Sequence, residues 1–210
     1  MKTRKTDLKK AFLFPLLITC LCALCSCSSG NQQETFFVHS AVFESNKDDV
    51  RITFLLEKHG KEKNGYFTAS SSAESIKDAA EKLTAKYKDC YFATCDLYFI
   101  SLSATPDTIS TIAKEICDSN IFPTTGSILC ISSESAQSFM SNINNAESIK
   151  NIKNDTTKNR VNIASFFARY YSEKPVTIDA FDVKDDKISK IGNATFSRNR
   201  KAVLHEDRQR

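Results

Sequence analysis

A chain of 210 residues that is 41% hydrophobic and 26% charged, with 15 Phe, 6 Tyr, five Gly and four Pro, carries enough apolar side chain for one well-buried core. That composition excludes two large domains, collagen-like sequence and a linker-dominated architecture. The formal charge of +4 does not favour nucleic acid: Lys2, Arg4, Lys5, Lys9 and Lys10 against Asp7 supply all of it, and the rest of the chain carries 24 basic and 24 acidic residues, so the general positive field that phosphate binding uses is missing.

The first ten residues, MKTRKTDLKK, form a cationic head, and AFLFPLLITCLCAL at 11–24 is a 14-residue apolar run containing Pro15. A helix needs about 20 residues to span a bilayer, so the run is short for a transmembrane segment and fits the core of a secretory signal. Cys20, Cys22, Cys25 and Cys27 cluster at its end. Leu24-Cys25-Ser26-Cys27 resembles a bacterial lipobox: an aliphatic residue, two small ones, then the cysteine that becomes the new amino terminus. Cys20 follows Thr19 and Cys25 follows Leu24, not Ala, Gly or Ser, which leaves Cys27 as the candidate lipidation site. Its sulfur would form a thioether to diacylglycerol and its freed α-amine would take a further acyl chain; two or three chains anchor stably where one is marginal. An uncleaved membrane anchor competes, as does a metal or redox cluster, but the latter lacks the second cysteine pair that a zinc site requires. This reading divides the chain into a signal peptide at 1–26, a polar tether at 27–35, a folded domain at 36–205 and a tail at 206–210.

Within the domain, 36–45 (FFVHSAVFES) and 50–58 (VRITFLLEK) are β-rich runs around a polar turn, Asn46-Lys47-Asp48-Asp49, and predict a hairpin. A short strand is expected at 65–69, and Ser71-Ser72-Ala73-Glu74 reads as a capping box. Behind it Ile76, Ala79, Ala80, Leu83 and Tyr87 share one helix face, ending near Lys88. Residues 97–102 (LYFISL) read as a buried strand, and Thr105-Pro106-Asp107 opens the next helix, whose apolar face is Ile109, Ile112, Ala113 and Ile116. A strand at 127–132 and a short helix carrying Ala136, Phe139, Met140 and Ile143 follow. Residues 144–160, rich in Asn and Lys, read as surface loop with weak helical character. A helix is expected at 161–171, with Ile163, Phe166, Phe167, Tyr170 and Tyr171 apolar, then β segments at 177–183 and 187–196 before a basic end, RNRKAVLHEDRQR. The order β-β-β-α-β-α-β-α-α-β-β predicts an α+β fold, a mixed sheet with helices packed on it.

Candidate chemistry is sparse. His39 in a strand, His59 in a Lys-rich loop and His205 in the tail stand apart, with no HExxH, so no metal site is expected. No GxSxG elbow, no SxxK with a second matching motif and no phosphate-binding glycine loop occurs; no catalytic residue and no cofactor is assigned. Cys90, Cys95, Cys117 and Cys130 remain after lipidation. Export permits a disulfide, with Cys95 and Cys130 meeting if their strands pair, and buried free thiols are the other reading. Asp48-Asp49 and Asp185-Asp186 read as solvated turn residues beside lysines. The basic stretch 198–210 reads as a hydrophilic end, with anionic headgroup contact as the alternative.

Laid out in order, these elements resemble the amino-terminal region of the Ger(x)C family, the lipoprotein subunit of spore nutrient-germinant receptors. The phrases that carry the resemblance begin with Cys27 and the Ala69-Ser70-Ser71-Ser72-Ala73-Glu74-Ser75-Ile76 stretch, followed by Ala79, Ala80 and Leu83. Tyr98-Phe99-Ile100-Ser101, the Phe167 to Tyr171 helix end, Pro175, and then Gly192, Ala194, Phe196, Lys201, Val203 and Leu204 continue it. The chain departs from the family in following Cys27 with Ser28-Ser29-Gly30 instead of the Trp-Asp usual there, and resembles it in shortened form, without the further carboxy-terminal domain. The resemblance implies a non-enzymatic, membrane-anchored subunit on the outer face of the cytoplasmic or inner spore membrane, with integral membrane subunits as partners. A solute-binding lipoprotein of the cell envelope is the alternative, and a cell-envelope hydrolase the weakest reading, for want of a nucleophile and base pair.

Overall fold

The computed structural model describes residues 34–45, 49–60, 65–132, 136–143, 146–156, 160–184 and 187–207. The expected signal peptide, Cys27, the tether through residue 33, Asp48 and the Asp185-Asp186 pair lie outside the described residues. The chain from Glu34 onward forms one unit.

Its centre is a mixed sheet of nine strands. Strands β1 (Thr35–Ser45), β2 (Val50–His59) and β3 (Gly65–Ala73) form an antiparallel set, as the hydrophobic runs around the 46–49 turn predict. Helix α1 (Ile76–Lys86), a short β4 (Cys90–Tyr91) and a one-turn 3-10 segment (Phe92–Thr94) lead into β5 (Leu97–Ser101). Helix α2 (Pro106–Ser119) connects to β6 (Ser127–Ile131), and α3 (Ala136–Asn142), α4 (Ala146–Asp155) and α5 (Ile163–Tyr171) connect to β7 (Val176–Lys184). Strands β8 (Lys187–Ser197) and β9 (Arg200–Glu206) close the order. Spatially the strands run β3-β2-β1-β5-β6-β7-β8-β9, with β4 beside the start of β1. The β1, β5, β6 and β7 pairings are parallel, and the antiparallel sets lie outside them. The fold is thus the α+β arrangement that the element order predicts.

The two faces of the sheet bury different helices. Tyr98 and Ile100 of β5 point to the face where α1, α2 and α5 pack, with Ile76, Ile112, Phe166 and Tyr170. Leu97 and Phe99, alternating with them, meet Phe139 and Met140 of α3 and Ile149 and Ile152 of α4 on the other. Both faces of the parallel strands are covered, and each is a near-continuous apolar run, as parallel sheets require. Helix α2 starts as its sequence dictates: Thr105 accepts the Thr108 N–H, Pro106 takes the first turn, and Ile109, Ile112, Ala113 and Ile116 are buried. Gly126 sits where the Tyr98 ring leaves no room for a Cβ, and the Tyr98 hydroxyl is tied to the carbonyls of Cys95 and Pro123 at 3.1 and 3.0 Å.

Four expectations change. The capping box moves: β3 continues to Ala73, paired with Val50, and Ser75 is the cap, accepting the Asp78 N–H at 3.0 Å. Pairing with β2 satisfies the backbone through 71–73, which outcompetes an early helix start. Residues 146–155 are helical, because Ile149 and Ile152 find a buried face against the sheet. His59 is the last residue of β2, not a loop residue, and His205 lies in β9 opposite Asn193. The basic end is therefore a strand for Arg200–Glu206, with Ala202 and Leu204 packed against the core.

Candidate functional site

Titratable and aromatic side chains converge where α3 and α4 leave the start of β1 and its neighbours uncovered. A β-bulge at His39 makes this place. In β1, Ser40 pairs with Leu55 but Val38 pairs with Leu56, so His39 is an extra residue with no opposite number. The bulge returns Phe36 and Val38 to the face of Ala41 and Phe43 and sends Phe37 and His39 to the opposite side. There Phe37, Glu57 and Tyr66 form one row across β1, β2 and β3, because Phe37 pairs with Glu57 and Glu57 with Tyr66.

Glu57 is the hub. His39 Nε2 lies 2.6 Å from one carboxylate oxygen and His59 Nε2 lies 3.0 Å from the other, each imidazole N–H donating to the carboxylate. The Tyr66 hydroxyl donates to the same group. Partial burial alone would raise the Glu57 carboxyl, but the hydrogen bonds and charges of His39 and His59 outweigh it and hold it below its ordinary value near 4.5. Burial pushes the Tyr66 hydroxyl up, reinforced by the charge and hydrogen bond of Glu57. Phe37 stands edge-on to His59 at 5.1 Å and stacks on Tyr91 at 5.5 Å; Tyr91 is 52% exposed.

Chemically this is a proton-responsive clamp, since the carboxylate holds both imidazoles through the Nε2 atoms that would otherwise bind a metal. Among the described residues no group of three or more His, Cys, Asp or Glu side chains is arranged to hold a metal ion. A folded-state pKa below the ordinary one means that Glu57 contributes stability above about pH 4.5, lost as pH falls through its folded value. Glu57→Gln is therefore expected to lower the urea midpoint at neutral pH and to flatten its fall below about pH 4.5. Parallel curves for the two proteins would contradict the clamp.

Sequence spacing does not show this site. The histidines stand 20 positions apart, and an unbulged hairpin continuing the Ser45 to Val50 register would put His39 opposite Leu56 and Glu57 on the other face. A Glu flanked by residues of alternate-face spacing, Leu55 and His59, is the faint signal available.

Elsewhere, an open groove of about 580 Å³ between α4 and β8 is lined by Asn151, Asn154, Ile188, Ser189 and Lys190. Lys190 also holds the buried Asp179 carboxylate at 2.6 Å. Cys95 lies outside the strands, between the 3-10 segment and β5; β5 does pair with the strand of Cys130, but Cys130 stands opposite Ile100, and Cys90, Cys95, Cys117 and Cys130 are all free thiols. Burial pushes the Cys90 thiol up to about 11 and that of Cys130 to about 12. Alkylation of the native protein is expected to modify the exposed Cys117 first and to reach Cys95 and Cys130 only after unfolding. Peptide masses before and after denaturant check this.

Comparisons of the chain with protein-family models, with curated proteins and with solved structures gave no match. Among the described residues no helix is long and apolar enough to cross a membrane.

Proposed function

We propose that this chain is a membrane-anchored lipoprotein, held through acylated Cys27 on the outer face of the cytoplasmic or inner spore membrane. There it serves as a non-enzymatic subunit of a spore germinant-receptor-like complex with integral membrane partners. The observation that carries the reading is the cationic head, 14-residue apolar run and Leu24-Cys25-Ser26-Cys27 ending in direct succession. The ordered Ger(x)C-like phrases support the receptor part of it. The α+β domain beginning at Thr35, directly behind the tether, is compatible with the same arrangement. Isolation of the tagged protein from membranes in mild detergent is expected to recover a multi-spanning partner. Recovery of the lipoprotein alone would count against the receptor role.

The solute-binding alternative draws on the groove between α4 and β8 among the described residues. Thermal stabilisation by members of a nutrient panel, lost on Lys190→Ala, would favour it.

A further inference from the structure

At the aromatic end of the sheet the Tyr91 ring is exposed and the rings of Phe37 and His59 beside it are half-buried, a surface that the proposed subunit role does not use. We propose that this patch rests in the headgroup layer of the bilayer to which the chain is anchored, a placement that depends on acylation at Cys27. The covalent chain argues for it. Seven residue steps separate Cys27 from Glu34, a reach of at most roughly 25 Å when fully extended. A domain of this size has a radius of gyration of about 16 Å, hence a width near 40 Å. The tether is thus shorter than the domain is wide, and the end of the sheet where β1 begins stays near the lipid surface.

Phe37 is three residues beyond Glu34, and Tyr91 pairs with it across β4. Ser103, exposed, lies at the opposite end of the sheet, in the turn that follows the last residue of β5. The patch also has interfacial chemistry. Tyr91, 52% exposed, and His59, whose side chain is 43% exposed, present an apolar ring with a polar tip, the type of side chain that collects at headgroup depth. Among the described residues beside the patch the charges are paired: Lys58 meets Glu34 at 2.6 Å, and exposed Lys88 adjoins exposed Asp89. The contact is therefore aromatic in character and needs no anionic lipid.

The chain contains no Trp, so Tyr91→Trp creates a single fluorescent reporter at an exposed position. The test uses the full-length protein, its acylation established by mass, in nanodiscs of phosphatidylcholine with or without brominated acyl chains and with no other protein. The expected result is a blue-shifted emission that loses most of its intensity in brominated lipid, in low and high salt alike, while a Ser103→Trp reporter at the other end of the sheet keeps its emission. A Lys88→Trp reporter beside the patch carries the same expectation should position 91 not tolerate the change. Acylated protein whose patch reporters are unquenched, or quenched no more than at Ser103, overturns the proposal alone. So does a response that arises only when integral membrane subunits are added, which would make the patch a protein contact. Protein that carries no acyl chain overturns the anchor reading and this placement with it.

Discussion

Phe54→Ala is expected to cost about 3–5 kcal/mol of folding stability, the range for truncating a buried Phe. Phe54 is wholly buried in β2 and sits in a cluster of five rings from five separate segments. It meets Phe92 of the 3-10 turn edge-on at 5.6 Å and stacks on Phe122, after α2, at 6.1 Å. Phe122 in turn touches Phe43 of β1 at 5.8 Å and Tyr98 of β5 at 6.2 Å. Removing the Phe54 ring leaves a cavity that its ring neighbours, fixed in the 3-10 turn and in the segment after α2, cannot close. Domains of this kind are stable by only about 5–15 kcal/mol in total, so the variant should approach the unfolding threshold. Truncating the exposed Val203 should stay within about 0.5 kcal/mol. Urea unfolding followed by circular dichroism checks both, and a loss under about 1 kcal/mol for Phe54→Ala would remove the cluster from the centre of the fold.

The elements that were legible in the sequence are those in which local and tertiary preferences agree. Helix α2 has a Thr cap, a first-turn Pro and isoleucines at helical spacing, and it forms where these place it. Helix α4 lacks such agreement: Ile149 and Ile152 are the only large apolar residues among Asn, Lys, Ser, Glu and Asp, and burial against Phe99 and Leu129 supplies what propensity does not. Strand β9 is hidden in the same way, since AVL flanked by charges looks like a tail until β8 pairs with it. The His39, Glu57 and His59 clamp is further out of reach. It depends on one extra residue in β1, and neither the apolar pattern nor the turn length specifies where a bulge falls.

Cys27→Ala is expected to abolish incorporation of labelled palmitate and to release the protein from the membrane fraction. Cys20→Ser, Cys22→Ser and Cys25→Ser should each leave both largely intact. The asymmetry follows from chemistry: only the sulfur at the new amino terminus forms the thioether, and only its freed amine takes a further chain. A single remaining chain would give marginal, reversible binding, and among the described residues no helix is long and apolar enough to cross the membrane in its place. Equal labelling of the Cys27→Ala chain would move the acylation to another residue, and its retention in the membrane without label would return the apolar run at 11–24 to the role of an uncleaved anchor.

Because location is what narrows the function, the mature amino terminus is the decisive quantity. The mass of the amino-terminal peptide from protein extracted out of membranes is expected to begin at Cys27 and to carry a diacylglycerol thioether. A peptide that retains residues 1–26, or one in which Cys27 is unmodified, would contradict the account.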